Sequence, residues 1–307
     1  MIANPFKKFA AFVLAAGLCA GAAACGTTDE TTSDSAQDAA KFDVSAIVKD
    51  DALAKMLPAS VRDSGELTVG MELSYAPAEF LAEDGKTPTG YDVQLSQALG
   101  RLFGLETKIV STTFDTIVPS VGSKFDLGIT AMTITQERMD SVDFVSYYKA
   151  GSMWVVKKGN PEKVDTKDLC GDIIAVQTGT VQEEEANSIK EQCAADGNKA
   201  VEVQSMKQQT DAATNVVMGK ADVFYADSPI GGYAISQTDG QLEQLGENAG
   251  TVLQGIAIKK GDTELAKAVQ AAMQKLMDDG DYMKILKAWG VESGAIDKAQ
   301  INPKELD

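Results

Sequence analysis

An α/β fold in two lobes is what this sequence predicts. Strand and helix patterns alternate along the chain, and the alternation restarts after YYKAGS (147–152). About 250 residues follow the N-terminal region, which suits two domains of ordinary size. LTVGM (67–71) alternates apolar and polar side chains like a strand. YDVQLSQALGRLF (91–103) then places Val93, Leu95, Leu99, Leu102 and Phe103 near one helical face, with Gly104 as its stop. TKIVS (107–111) reads as the next strand. FDTIVPSVGS (114–123) reads as a short helix with Asp115 at the N-cap, and FDLGITAM (125–132) as another strand.

Beyond the restart, MWVVKKG (153–159), DIIAVQT (172–178), KAVEVQS (199–205) and ADVFYAD (221–227) have the strand pattern. Helical stretches VQEEEANSIKEQCAA and QTDAATNVVMGK lie between the later ones. GIAIKKGD (255–262) is a further strand, and TELAKAVQAAMQKLMDDG and DYMKILKAWG close the chain as amphipathic helices. The regions 60–150, 151–250 and 251–300 thus outline a lobe interrupted by a second lobe. Periodicity alone does not show that the chain crosses between lobes twice.

The N-terminus carries export signals. Lys7 and Lys8 precede an apolar run that is too short to span a bilayer, followed by small residues, as in a secretory signal peptide over 1–24. AAAC-G resembles a lipobox, which makes Cys25 the expected acylated N-terminus; a plain secretory cut is the alternative. Residues 25–59 begin polar and acidic, the composition of a flexible tether. The net charge of −17 argues against a nucleic-acid partner.

Cys170 and Cys193 remain in the exported chain, where a disulfide is the ordinary outcome; it would close a loop of about 20 residues and contribute roughly 3 kcal/mol. The chain has no histidine, which removes Ser-His-Asp and Cys-His catalysis and disfavours a zinc site. Neither a phosphate-binding loop nor a dinucleotide fingerprint is present, so no cofactor is expected.

GYDVQLSQALGRLFG (90–104) resembles the signature of the family 3 (polar amino acid) bacterial solute-binding proteins, with Gln94 in place of the usual acid. ELSYAPAEF (72–80), FDTIVPSV, FDLGITAMTITQERMDSVDFVSYY (125–148), AVQTGTVQE (175–183), ADVFYADSP (221–229) and GDYMKILKAWGV resemble family segments in family order. LCGD…C and the GAID ending look most like actinobacterial members. The resemblance implies a type II periplasmic-binding-protein fold, with lobe 1 from 60–150 plus 251–300, lobe 2 from 151–250, and two hinge strands between them. It also implies an extracytoplasmic receptor, lipid-anchored to the outer face of the cytoplasmic membrane. Such a receptor is monomeric and closes on an amino acid that it delivers to an ABC permease.

Such a site must neutralise a carboxylate and an ammonium and then read a side chain. By family position, Arg138 grips the α-carboxylate with two parallel donors, with Thr133, Thr130 and the backbone of Ala131 beside it. Thr180, at the start of a predicted helix, meets the carboxylate's free edge, and Gln177 is a further ligand position in the same segment. Asp227 pairs with the ammonium. Glu72 faces the side-chain end, while Tyr75 and Phe114 sandwich its stem, a set that favours Arg or Lys, then Gln. The bland alternatives are a surface Arg138, a capping Thr180 and Asp227, and core packing for the two aromatics. Trp154 and Trp289 read as packing residues, and Glu183, Glu184 and Glu185 as a solvated helix turn. A dehydratase-like enzyme using Glu72 as acid or base, and a ligand-binding sensor, are the competing functions.

Overall fold

The computed structural model describes residues 42–306. The predicted signal peptide, Cys25 and the first part of the tether lie outside the described residues. Helices α1 (Asp51–Met56), capped by the Asp50 carboxylate, and α2 (Ala59–Arg62) lead into β1 (Glu66–Met71). A small antiparallel sheet follows, made of β2 (Ser74–Tyr75), β3 (Glu79–Leu81) and β4 (Pro88–Thr89). Gly90 opens α3 (Tyr91–Phe103) at a φ of 125°, and a Cβ there would lie 2.1 Å from the Ala78 carbonyl oxygen. Glycine at the head of the GYD motif is therefore a requirement of close packing against β3. The helix ends, as predicted, on a left-handed Gly104.

The chain continues through β5 (Glu106–Ser111), α4 (Ile117–Ser120), β6 (Leu127–Gly128), α5 (Gln136–Ser141) and the long β7 (Val142–Lys157). Beyond it come β8 (Ile173–Gln177), α6 (Val181–Ala195), β9 (Glu202–Met206), α7 (Gln209–Val217), β10 (Val223–Asp227) and α8 (Ser228–Ser236). The second long strand, β11 (Leu242–Lys259), precedes α9 (Thr263–Asp278) and α10 (Asp281–Ala288).

The large sheet has the order β5-β1-β6-β11-β7-β10-β8-β9. Its two halves are α/β lobes, and β7 and β11 run antiparallel through both. At one end β11 pairs with β6 through Ala257 and Ile258; at the other, β7 pairs with β10 through residues 152–156. The ladder between β7 and β11 slips between Leu245 and Ala249 and again between Ala249 and Val252. A pair of strands interrupted at this point can bend there while each end stays anchored in its own lobe.

Four local expectations differ from the structure. The tether predicted over 25–59 stops short of its end, because Asp51–Met56 form α1 and Leu53 and Leu57 are buried. Asp115 caps no helix, because Phe114–Thr116 form a 3-10 turn closed by the Thr116 N–H on the Thr113 carbonyl, and α4 begins only at Ile117. FDLGITAM joins the large sheet as a ladder at Leu127–Gly128 alone; Thr130 and Ala131 beyond it bond to buried side chains, and Ala131 takes a φ of 46°. β11 begins at Leu242, well before Gly255, over a polar, glycine-containing stretch whose side chains are mostly exposed and so carry no apolar alternation.

Cys170 and Cys193 are joined, tying the segment before β8 to α6. Replacing both by serine is expected to lower the stability of the protein by about 3 kcal/mol, read as a fall in Tm of about 6–12 °C by calorimetry. Trp154 stacks on Tyr225 with ring centroids 3.6 Å apart, and Trp289 sits edge-on to Phe80 at 5.9 Å. The Trp289 Nε1–H donates to Gln94 Oε1 at 2.9 Å, which gives the unusual glutamine of the signature a structural partner.

Candidate ligand-binding site

Thr135 caps α5 by accepting the Arg138 N–H at 3.1 Å, which fixes the first turn and aims the Arg138 side chain toward the second lobe. There Nη1 donates to the Thr133 carbonyl at 2.6 Å and Nη2 to the Gly179 carbonyl at 2.8 Å, so the guanidinium bridges the loop before α5 and the turn before α6. The Phe114 ring lies 5.5 Å from its central carbon, a cation–π contact. Burial lowers the Arg138 pKa, yet guanidinium stays charged at any physiological pH. Among the described residues no carboxylate forms an ion pair with it.

Asp227 closes β10 and is only 5% exposed. Its Oδ1 accepts from Gln182 Nε2 at 2.8 Å, and its Oδ2 from the Tyr75 hydroxyl at 3.0 Å and from Gln254 Nε2 at 2.8 Å. Tyr75 belongs to β2 and Asp227 to β10, so this bond joins the two lobes. Burial pushes the Asp227 carboxyl up to about 6, while the surrounding donors and Arg138 pull the other way.

Glu72 follows β1 and is also 5% exposed. Its Oε2 accepts from the Ser74 hydroxyl at 2.8 Å and from Gln177 Nε2 at 2.9 Å. Ser74 Oγ in turn accepts the Gln209 N–H at 2.8 Å, so this bond and the one from Gln177 also tie the lobes together. Burial raises the Glu72 pKa, because no cation lies within ion-pair distance of it among the described residues.

Arg138, Asp227, Glu72, Tyr75, Phe114, Gln177 and Thr133 thus converge where the lobes meet, and three other predicted positions serve different partners. The Thr130 hydroxyl turns into lobe 1, donating to Glu79 Oε1 at 2.6 Å and accepting the Glu72 N–H at 3.2 Å. The Ala131 N–H donates to Asp92 Oδ2 at 2.8 Å. Both donors are drawn inward because buried carboxyls must be hydrogen-bonded. Thr180 is the N-cap of α6: its hydroxyl accepts the Glu183 N–H and donates to the Gln177 carbonyl at 2.7 Å. Nor are the glutamates of that first turn merely solvated. Glu183 accepts the Gly179 N–H at 2.6 Å and Glu185 accepts the Tyr225 hydroxyl at 2.8 Å.

Sequence reading missed Gln182, Gln254, Glu79 and Asp92. Gln182 stood inside the quoted QTGTVQE segment, and Asp92 and Glu79 inside quoted motifs, so all three were visible but unassigned. Gln254 lies in the unanticipated part of β11, and nothing local marks it. A cavity of about 480 Å³ opens beside the meeting point of the lobes, with Thr133, Ser152, Val181 and Asp227 in its wall.

Two α/β lobes on two shared strands, meeting over one half-buried guanidinium and two buried carboxyls, define a ligand-closing receptor fold. The chain belongs to the bacterial extracellular solute-binding proteins, family 3, whose profile matches residues 67–292. It is 32% identical over 254 residues to the arginine-binding protein ArgT of Corynebacterium glutamicum, covering 82% of this chain and 83% of ArgT. An ancestral arginine-binding protein solved with arginine is 30% identical, with a TM-score of 0.68 over 73% of this chain and 98% of that one. The ancestral amino acid-binding protein AncCDT-1, a precursor of cyclohexadienyl dehydratase, is 31% identical, with a TM-score of 0.65 over 75% of this chain and 97% of that one.

Proposed function

We propose that this protein is a non-catalytic, extracytoplasmic receptor that closes on a cationic amino acid, arginine or lysine before glutamine, for delivery to an ABC permease. The observation that carries the reading is a charge balance. The closed cleft holds one half-buried cation, Arg138, and two buried acids, Glu72 and Asp227. A zwitterion meets Arg138 with its carboxylate and Asp227 with its ammonium, which leaves Glu72 uncompensated. A side-chain cation completes the set, and a buried carboxylate is expensive to leave without one. Names of relatives support the same ligand class, since ArgT and the ancestral protein are both described as arginine-binding.

In this reading lobe 1 comprises 60–150 and 251–300 and lobe 2 comprises 151–250, with β7 and β11 as the hinge. Arg138 takes the α-carboxylate, Asp227 the ammonium and Glu72 the side-chain end. Thr133 adds its hydroxyl, and Gln177 holds Glu72 in place. In this reading the body works as a monomer outside the cytoplasmic membrane, on a lipid attached to Cys25, and the lipobox-like AAAC-G supports the anchor.

Titration calorimetry with the twenty amino acids tests the ligand class. Arginine and lysine are expected to bind more tightly than glutamine. Glu72→Gln is expected to weaken arginine by about 10- to 150-fold, the loss of one charge-assisted hydrogen bond, and to leave glutamine nearly unchanged. Equal losses for both ligands would remove Glu72 from the side-chain subsite. A folded, ligand-free protein that binds no amino acid would overturn the receptor reading and direct the work to a dehydratase assay.

A further inference from the structure

Beneath the cleft, two acids that the binding chemistry does not use lie side by side. Glu79 on β3 and Asp92 in the first turn of α3 are both fully buried. Glu79 Oε1 accepts the Thr130 hydroxyl at 2.6 Å. Asp92 Oδ2 accepts the Ala131 N–H at 2.8 Å and the Tyr147 hydroxyl at 2.7 Å. The remaining oxygens, Glu79 Oε2 and Asp92 Oδ1, are both buried and accept from no donor among the described residues, and the two carboxyls adjoin each other. Two carboxylates so placed would leave both oxygens unpaired, whereas a carboxylic acid and a carboxylate can satisfy them through one shared proton.

We propose that Glu79 and Asp92 are positioning residues for the ligand loop, sharing one proton whose loss at alkaline pH loosens Thr130 and Ala131 and weakens amino-acid binding. The proton sits on Glu79 and is donated to Asp92. Asp92 is the better anion: it accepts two donors and lies in the first turn of a 13-residue helix, whereas Glu79 accepts one. Nothing nearby replaces the proton. Glu72 faces Glu79 from the segment after β1, Tyr75 from β2, Tyr91 from α3 and Tyr147 from β7, while Tyr148 of β7 and Tyr282 of α10 face Asp92; none of these is a cation. Burial accordingly holds both carboxyls above the usual carboxylate range. The loop they fix leads through Thr133 to Arg138, and Thr130 also takes the Glu72 N–H, so the pair sets the backbone on both sides of the proposed ligand.

The decisive variants are isosteric. Glu79→Gln keeps an acceptor for Thr130 and supplies an N–H to Asp92, replacing the acid without its proton. Asp92→Asn keeps an acceptor for Ala131 and Tyr147 and donates to an ionised Glu79. The double variant turns two amide donors toward each other, so it is expected to lose more stability than the sum of the singles. For the native pair the folded state holds its proton more tightly than the unfolded state. Its penalty is therefore absent at acid pH, grows as pH rises through the unfolded-state carboxylate range, and levels off once the folded pair also ionises. The Tm of Glu79→Gln is expected to gain on that of the native protein as pH rises.

Infrared difference spectra at neutral pH should show a protonated-carboxyl C=O band in the native protein that is missing from Glu79→Gln. The arginine affinity arm rests on the proposed function. The ratio of variant to native affinity should rise above about pH 8, where the ligand's own titration cancels. A missing carboxyl band, a Tm difference independent of pH, or additive double-variant losses would each overturn the shared proton. If the native protein binds no amino acid, the receptor reading fails while the spectra and melting curves still decide the pair.

Discussion

Replacing Arg138 by alanine is expected to raise the Kd for arginine by about a hundredfold or more, without unfolding the ligand-free protein. That loss follows from the two charge-assisted hydrogen bonds proposed between Arg138 and the ligand carboxylate, each contributing about 1.5–3 kcal/mol in a closed cleft. Alanine also leaves that carboxylate buried without a counter-charge, which adds to the loss. Arg138→Lys is expected to fall between the two, since an ammonium restores the charge but not the parallel fork, and it loses the simultaneous reach to the Thr133 and Gly179 carbonyls. Calorimetric Kd values for the three proteins, with Tm measured in the absence of ligand, check this. An unchanged Kd in Arg138→Ala would reduce Arg138 to a brace between the lobes and move the carboxylate site elsewhere.

The second large effect is at Asp227. Asp227→Asn is expected to weaken arginine by about a hundredfold, because the ligand ammonium loses its counter-ion in a site that excludes water. The amide fits its surroundings poorly as well: Tyr75, Gln182 and Gln254 all present donors, and asparagine offers them one oxygen instead of two. The native protein should also lose affinity as pH falls through about 6, since the ligand-free Asp227 carboxyl is pushed up to about that value by burial and must ionise to meet an ammonium. The Kd then rises by up to tenfold per pH unit below that point. Glu72 is raised by burial in the same direction, so the acid-side slope should be steeper for arginine, which uses both acids, than for glutamine. In Asp227→Asn the glutamine slope should flatten. A native affinity constant from pH 7 down to about pH 5 would mean that Asp227 does not receive the ammonium.

Where local chemistry fixes the answer, the chain announced it. The amphipathic stretch 91–103 is a helix because its apolar side chains recur at helical spacing and Gly104 can take the left-handed cap. The stretch 181–195 is a helix because Thr180 caps it, and the strand ADVFYAD ends on the buried Asp227 that the motif reading had singled out. The family segments likewise named Arg138, Glu72, Tyr75 and Phe114, and these do come together. An α/β class, two lobes and the segments that supply the proposed site were all readable from the sequence.

What the sequence could not decide depended on distant neighbours. Thr130 and Ala131 turn inward because Glu79 and Asp92, some forty to fifty residues away, are buried and need donors. Gln254 reaches Asp227 only because β11 extends through both lobes, and that extension rests on backbone pairing to β7 rather than on any apolar pattern of its own. Periodicity reports which face of a segment is buried, whereas the partner of a buried polar group is chosen by the fold that brings the two together. In this protein the tertiary structure therefore decided which hydroxyls and amides are free to meet a ligand and which are committed to holding the site in place.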